Sequence, residues 1–170
     1  MHCHLLLVCP GTAEPGYICY MDATRSKLQE TINEYLPALK ALSEEEASVK
    51  PNPDKWSKKE LIGHLIDSAQ NNIRRFIVAQ YEESPLIIYK QDDWVRINNY
   101  QSYPLTDLIE LWYLLNKQID FILSNLSEEA IRRTCQTESL QTVKWLAGDY
   151  VKHMKHHLHH VLNLTPLAYP

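Results

Sequence analysis

The chain is poor in glycine, in net positive charge and in long apolar runs. Only four of its 170 residues are glycine, which argues against a fold of strands and tight turns and against a phosphate-binding loop. The net charge is −4, so we expect no nucleic-acid partner, which would need a basic surface. No apolar run approaches the roughly 18 residues that span a bilayer. The composition therefore favours one globular domain that binds neither nucleic acid nor membrane.

Cysteine is scarce in the body of the chain. Three of the four cysteines lie near the start, at Cys3, Cys9 and Cys19, and only Cys135 lies further along. This distribution differs from the regular spacing of a disulfide-stapled scaffold. We therefore expect a reducing, cytoplasmic environment.

The first 20 residues differ in character from the rest. They contain two prolines and two glycines and show no helical period, whereas a clean helical pattern opens at Met21. This change is consistent with a translation start at Met21. We treat residues 1–20 as an N-terminal appendage and residues 21–170 as the folded domain.

Four long helices are predicted from the spacing of apolar residues. Ser57 and Glu60 form a capping box at the start of the second helix, and Thr106 is the expected cap of the third. A short helical turn starts at Ser127. The stretch 81–104 is too long for a tight turn and suits a crossover. The sequence thus predicts an all-α four-helix bundle, without a sheet, whose long helices occupy about 22–42, 57–80, 106–125 and 142–164.

Five of the eight histidines cluster near the end of the fourth helix, at 153, 156, 157, 159 and 160. Each residue advances about 100° around a helix. His157 then falls inside the apolar arc and His153 at its edge, whereas His159 lies almost opposite. Because His153 and His157 are four residues apart, their rings share one face as half of a divalent metal site.

A third ligand has to come from another part of the chain. Outside the appendage the only other histidine is His64. It lies about 10 Å from the start of its helix, a level that His153 and His157 share if the second and fourth helices run antiparallel. Spacing leaves two interpretations of its polar helical stripe open, a wet outer face or the wall of a pocket. The other members of this stripe are Ser68, Asn72 and Arg75.

Two motifs and the section between them resemble the DinB/YfiT-like superfamily. WSKKELIGHLIDS at 56–68 is similar to its second helix, and DYVKHMKHHL at 149–158 is similar to its last. YKQDDWV at 89–95 and LW at 111–112 resemble its middle section. The resemblance covers about 22–164, nearly all of the predicted domain.

The resemblance implies an up-down-down-up bundle in which the second and fourth helices are antiparallel. It also implies a divalent metal held by His64, His153 and His157. Known members include metal-dependent hydrolases and enzymes that transfer low-molecular-weight thiols onto electrophiles. The chain departs from the family pattern in its extra histidines, to which we assign no metal-binding role: His156, His159 and His160.

Three neutral imidazoles leave at least one position open on zinc, nickel, iron or manganese. Water or a thiol can bind at such a position. The chain has no HExxH and no Glu-x-x-His, which argues against a metalloprotease and against a di-iron carboxylate bundle.

Four polar residues are candidates for supporting roles around the three histidines. Asp67 and Asp149 each lie about one turn from a predicted ligand and can accept a ring N–H, or they are surface carboxylates. Asn72 and Arg75 either face the pocket and hold an anionic substrate group or lie on a solvated face.

Two functions remain open from the sequence. The leading hypothesis is a metal-dependent enzyme, a hydrolase or thiol S-transferase, that acts on a small molecule. The alternative is a non-enzymatic metal-binding or stress-related bundle. The two differ in whether an accessible cavity leads to the ion. A homodimer is a further expectation, because apolar surface left on a four-helix bundle often contacts a partner.

Overall fold

Helices dominate the described chain. The computed structural model describes the backbone of residues 15–169 and the side chains of residues 20–169. None of its helices is long and apolar enough to cross a membrane. The helices are α1 (Pro15–Lys40), α2 (Glu44–Ser48), α3 (Lys58–Val78), α4 (Gln91–Asn98), α5 (Leu105–Ser124), α6 (Glu128–Arg132) and α7 (Val143–Val161), with a 3₁₀ turn at Tyr100–Ser102.

The four long helices α1, α3, α5 and α7 form a bundle in which α1 and α3 each pack against both α5 and α7. Arg25 in the first half of α1 donates to Asp120 near the end of α5, so these helices are antiparallel. Tyr35 in the second half of α1 contacts His159 near the end of α7, so these two are parallel. His64 near the start of α3 contacts His153 and His157 near the end of α7, so these two helices are antiparallel. The three directions confirm the predicted up-down-down-up bundle.

The core lies between the four long helices. Trp112 of α5 and Phe76 of α3 are completely buried in it. The predicted apolar arc of α7 is confirmed, because Met154 and its neighbours on the arc face this core. Burying a side chain of this size stabilises the fold by about 1.5–3 kcal/mol. The buried arc comprises Val143, Leu146, Tyr150, Met154, Leu158 and Val161.

The predicted start of the second long helix is confirmed as the N-terminus of α3. The Ser57 Oγ accepts from the Glu60 backbone N–H at 3.2 Å, and the Glu60 carboxylate accepts from the Ser57 backbone N–H at 2.8 Å. The Ser57 hydroxyl also donates to Gln101 at 2.7 Å. The capping box thus fixes the helix and ties it to the end of the crossover.

Two helix starts differ from the prediction. α1 begins at Pro15 rather than near residue 22, and proline is well tolerated in the first turn of a helix. Residues 1–14 lie outside the described residues, so the appendage stays a prediction. Thr106 is not the cap of α5, which begins at Leu105. The Leu105 N–H instead donates to the Glu44 carboxylate of α2 at 2.8 Å, a tertiary contact that local spacing cannot indicate.

A small antiparallel sheet, which the sequence did not predict, precedes α7. It pairs β1 (Thr134–Gln136) with β2 (Leu140–Thr142). The Gln136 N–H donates to the Pro85 carbonyl at 2.9 Å, so β1 also holds the crossover. Strands of three residues are too short to show a two-residue period.

Candidate metal centre

Three imidazoles from α3 and α7 meet near one end of the bundle. The ring centroids of His64 lie 5.0 Å from His153 and 4.7 Å from His157, and those of His153 and His157 are 4.5 Å apart. One nitrogen from each ring lies within 4.8 Å of the others. The Nε2 atoms of His64 and His153 are 3.1 Å apart. Imidazole nitrogens at about 2.0–2.1 Å from one ion are separated by roughly 3 Å, so this pair has the spacing of two ligands.

The polar stripe of α3 is the wall of an interior site. His64 is only 1% exposed, and Ser68 and Asn72 are buried with it. The ring of Trp56, just before α3, lies 5.1 Å from the His64 ring and covers it. The stripe of His64, which spacing alone could place on a wet outer face or on the wall of a pocket, therefore lies on the wall of a pocket.

Burial keeps the three imidazoles neutral. Desolvation lowers the pKa of His64 to about 4, although the charge of Asp92 opposes this shift. Desolvation, followed by the neighbouring histidines, lowers the pKa of His153 to about 2 and that of His157 to about 3. At neutral pH each ring therefore keeps a nitrogen lone pair, which is the form that binds metal.

Two buried ring nitrogens have no hydrogen-bond partner within the described part of the chain. They are the Nδ1 atoms of His64 and His157. A buried polar atom without a partner costs about 1–3 kcal/mol, and such atoms are uncommon in cores that serve only packing. Three neutral imidazoles form the donor set of a divalent transition metal. The residues present thus fit the ion that the family resemblance implies.

Asp67 lies beneath the site but does not orient His64. Its Oδ1 accepts from the Tyr100 hydroxyl at 2.6 Å and from the Asn98 amide at 3.2 Å. Its Oδ2 is buried and has no partner among the described residues. Desolvation raises the pKa of Asp67 to about 6, and the hydrogen bond from Tyr100 opposes this rise. The role predicted for Asp67, accepting from the His64 ring, is not observed.

Gly63 allows Tyr100 to reach Asp67. A Cβ atom at Gly63 would lie 2.1 Å from Cδ2 of the Tyr100 ring, far inside any tolerated contact. Because the ring of Tyr100 is held between α3 and the crossover, a side chain at this position would push it away. The glycine before His64 thus serves the packing beneath the site.

Asp149 and Ser68 flank the other side of the triad. The Asp149 carboxylate accepts from the Tyr169 hydroxyl at 2.9 Å rather than from a ring of the triad. The Ser68 Oγ lies 3.5 Å from the Nδ1 of His153. Ser68 is therefore the nearer candidate for orienting His153, and its position four residues after His64 is the signal that indicates it.

A cavity of about 850 Å³ adjoins the triad on the side of His153. Arg75 lines it but Asn72 does not. Asn72 is buried, and its amide donates to the Ser68 carbonyl at 2.9 Å. The Arg75 guanidinium donates to the Ile87 carbonyl at 3.1 Å and has no carboxylate within 4 Å in the described part of the chain. The cavity is lined on its charged side also by Lys90 and by four carboxylates, and on its aromatic side by Tyr89, Trp145, His153 and Tyr169; the carboxylates are those of Asp92, Asp93, Glu138 and Asp149.

The sequence places this bundle in a known family. A sequence model of the DinB superfamily matches residues 27–161. The chain belongs to the DinB superfamily. It is similar to a Halalkalibacterium halodurans protein named "putative metal-dependent hydrolase", with 27% identity over 124 residues, 71% of this chain and 72% of that protein. A Bacillus cereus protein of the same name is 24% identical over 147 residues, 85% of this chain and 84% of that protein.

Two solved structures share the fold of this DinB-superfamily chain. YfiT from Bacillus subtilis, described as a probable metal-dependent hydrolase with an unusual four-helix bundle topology, matches with a TM-score of 0.66 at 19% identity. That match covers 93% of this chain and 90% of YfiT. A mycothiol-dependent maleylpyruvate isomerase matches with a TM-score of 0.67 at 16% identity, over 87% of this chain and 62% of the isomerase. Because the identities are only 19% and 16%, these two matches show a shared fold and nothing about a shared function.

Several residues around the DinB-type triad were not predicted as part of the site. Trp56 was predicted only as part of the motif at 56–68, although its ring packs 5.1 Å from that of His64. Tyr100 and Tyr169 come from the crossover and from the segment after α7, where no helical period exists to place them. Among the extra histidines, His156 and His159 bind that last segment.

Proposed function

We propose that the chain is a metal-dependent enzyme in which His64, His153 and His157 hold one divalent ion. The observation that carries the proposal is the convergence of three neutral imidazoles, one buried and two partly buried, beside a cavity. When bound, such an ion supplies a Lewis acid with an open position for water or a thiol. Zinc, nickel, iron and manganese all suit this donor set.

Arg75 is the residue of the cavity that can bind an anionic group of a small substrate, and the carboxylates in the same lining leave it unpaired within 4 Å among the described residues. Arg75 lines the same cavity as His153. A planar guanidinium binds a carboxylate through two parallel hydrogen bonds. We therefore assign Arg75 to substrate binding, with the metal ligands at one end of the bound molecule and the guanidinium at the other.

Two reaction classes fit the site, hydrolysis and transfer of a low-molecular-weight thiol. The names of the similar Halalkalibacterium and Bacillus proteins support the first, and a cavity with room for two reactants supports the second. A cavity that reaches His153 favours either over the non-enzymatic alternative, whose ion would be sealed beneath apolar side chains. The proposal includes a cytoplasmic location and a homodimer.

Elemental analysis of the purified chain, followed by activity screens of the metal-loaded protein, tests the proposal. We expect about one ion per chain and turnover either of an activated ester or of a thiol with monochlorobimane. Bound metal without turnover in either screen would favour the non-enzymatic alternative, and absence of metal would remove the basis of both.

The neighbouring arginines of α3 provide a matched pair for the role of Arg75. Arg75→Gln should raise the KM for a carboxylate-bearing substrate by about tenfold, since one charge-assisted hydrogen bond contributes about 1.5–3 kcal/mol. Arg74→Gln changes the same charge on an exposed side chain and should leave the KM unchanged. Equal effects of the two substitutions would contradict the assignment.

A further inference from the structure

The chain reverses direction after α7 and forms a segment, residues 162–169, that we call the C-terminal strap. Asn163 takes the left-handed conformation, with φ of 54°, which asparagine tolerates better than most residues. The Asn163 N–H donates to the His160 carbonyl, and the Leu164 N–H donates to the His159 carbonyl at 2.9 Å. These two bonds form a Schellman motif, which ends the helix and turns the strap back along it.

Two histidines outside the triad hold the strap. The Nδ1 of His156 lies 2.7 Å from the Leu167 carbonyl, and the Nδ1 of His159 lies 2.7 Å from the Thr165 carbonyl. A carbonyl only accepts, so each Nδ1 carries the hydrogen. The other ring nitrogen of His159, Nε2, lies 2.8 Å from the Tyr35 hydroxyl. His159 thus links α1, α7 and the strap.

The strap places Tyr169 next to the candidate metal centre. Its ring lies 5.4 Å from that of His153 in a T-shaped contact and 5.6 Å from that of His156. Its hydroxyl donates to Asp149 at 2.9 Å, which fixes the ring at both ends. Tyr169 lines the cavity together with His153 and Arg75. One wall of the cavity therefore comes from a segment outside the bundle.

We propose that Tyr169 is a specificity-determining residue, whose ring limits the bulk of the molecules that reach the ion on the side of His153. The proposal rests on the proposed function, because it takes the three histidines as the metal site. In this proposal, the role of His156 and His159 is to hold the strap that contains Tyr169. Asp149 then positions Tyr169 rather than a metal ligand.

The test uses cobalt-loaded protein and two neutral thiols of different bulk, β-mercaptoethanol and phenylethanethiol. Each is titrated while the visible absorption of the ion is followed, so no enzymatic activity is needed. Tyr169→Ala should reduce the preference for the smaller thiol by about tenfold, the discrimination that a shaped apolar wall provides. Tyr169→Phe loses the hydrogen bond to Asp149 but keeps the ring and its contacts with His153 and His156, so it should keep most of the preference.

Tyr81→Ala, at an exposed tyrosine three residues after α3, is the matched control and should behave as the parent chain. Loss of the preference in both Tyr169 variants, or in neither, would overturn the proposal. Cobalt binding by the variants, measured first, separates this result from failure of the proposed function. If the parent chain binds no cobalt, the metal site itself is wrong. If every variant binds cobalt and shows the same preference between the two thiols, only the role of Tyr169 is wrong.

Discussion

The histidines of α7 lie in two different environments. His153 and His157 face the bundle interior, where they meet His64 and stay neutral. His156 and His159 lie further around the helix and donate to backbone carbonyls of the strap. Because each residue turns by about 100°, neighbours in sequence enter different environments. Helical phase, not residue type, therefore separates the candidate metal ligands from the structural histidines.

Removing one histidine from each set tests whether the two sets have different roles, and it has the largest expected effect. His157→Ala should abolish stoichiometric metal, because two imidazoles leave the ion without the three protein ligands of an open site. His64→Ala should do the same from the other helix. His159→Ala should retain the ion and lose only its hydrogen bonds to the strap and to Tyr35, about 1 kcal/mol each. Elemental analysis after gel filtration measures the first effect, and thermal unfolding measures the second.

Equal loss of metal from all three variants would refute the separation of the two sets. His159→Gln offers a milder control, because its amide can still donate to the Thr165 carbonyl. We expect this variant to unfold closer to the parent chain than His159→Ala does.

A second prediction compares a buried carboxylate, Asp67, with an exposed one, Asp54. Burial raises the pKa of Asp67 to about 6, above its value in an unfolded chain. A raised pKa means that the folded state holds its proton more tightly, so this contribution to stability is complete below about pH 4 and is lost as the pH rises through about 6. Asp67→Asn should therefore gain roughly 1–3 kcal/mol over the parent chain between pH 4 and pH 8.

Urea unfolding of the metal-free protein at several pH values measures this difference. Asp54→Asn replaces an exposed carboxylate in the connection before α3 and should show no such trend. If the stability of Asp67→Asn changes with pH in parallel with that of the parent chain, the buried carboxylate is not the source of the effect.

The smallest expected effect concerns the N-terminus. Deleting residues 1–14 should leave the melting temperature unchanged. Deleting residues 1–20 also removes the start of α1 and Tyr20, whose ring lies 4.2 Å from the Lys144 Nζ. A cation–π contact at an exposed site contributes about 0.5–1 kcal/mol, so the second deletion should lower the melting temperature by less than about 4 °C. A larger fall would show that residues 1–20 are part of the domain rather than an appendage.

Much of the architecture was predictable because it depends on local chemistry. The Ser57 cap and the apolar arc of α7 follow from spacing, and both are confirmed. The phase of α7 also placed His157 inward and His159 outward. These features need only the geometry of one helix, which the sequence specifies directly.

Other features depend on contacts between segments that are distant in the chain. The cap of α5 is Glu44 of α2, and the partner of Asp67 is Tyr100 from the crossover. Tyr169 reaches the cavity only because the strap turns back at Asn163. Helical periodicity carries no information about such partners.

Residue type and short-range spacing were enough to predict the four long helices, the buried face of α7 and the three histidines of the family pattern. Contacts between distant segments were needed to show that the stripe of His64 is interior, that the Asp149 carboxylate accepts from Tyr169, and that a cavity adjoins His153. Burial and cavity shape arise from how the helices, the crossover and the strap pack together. No single segment contains that information.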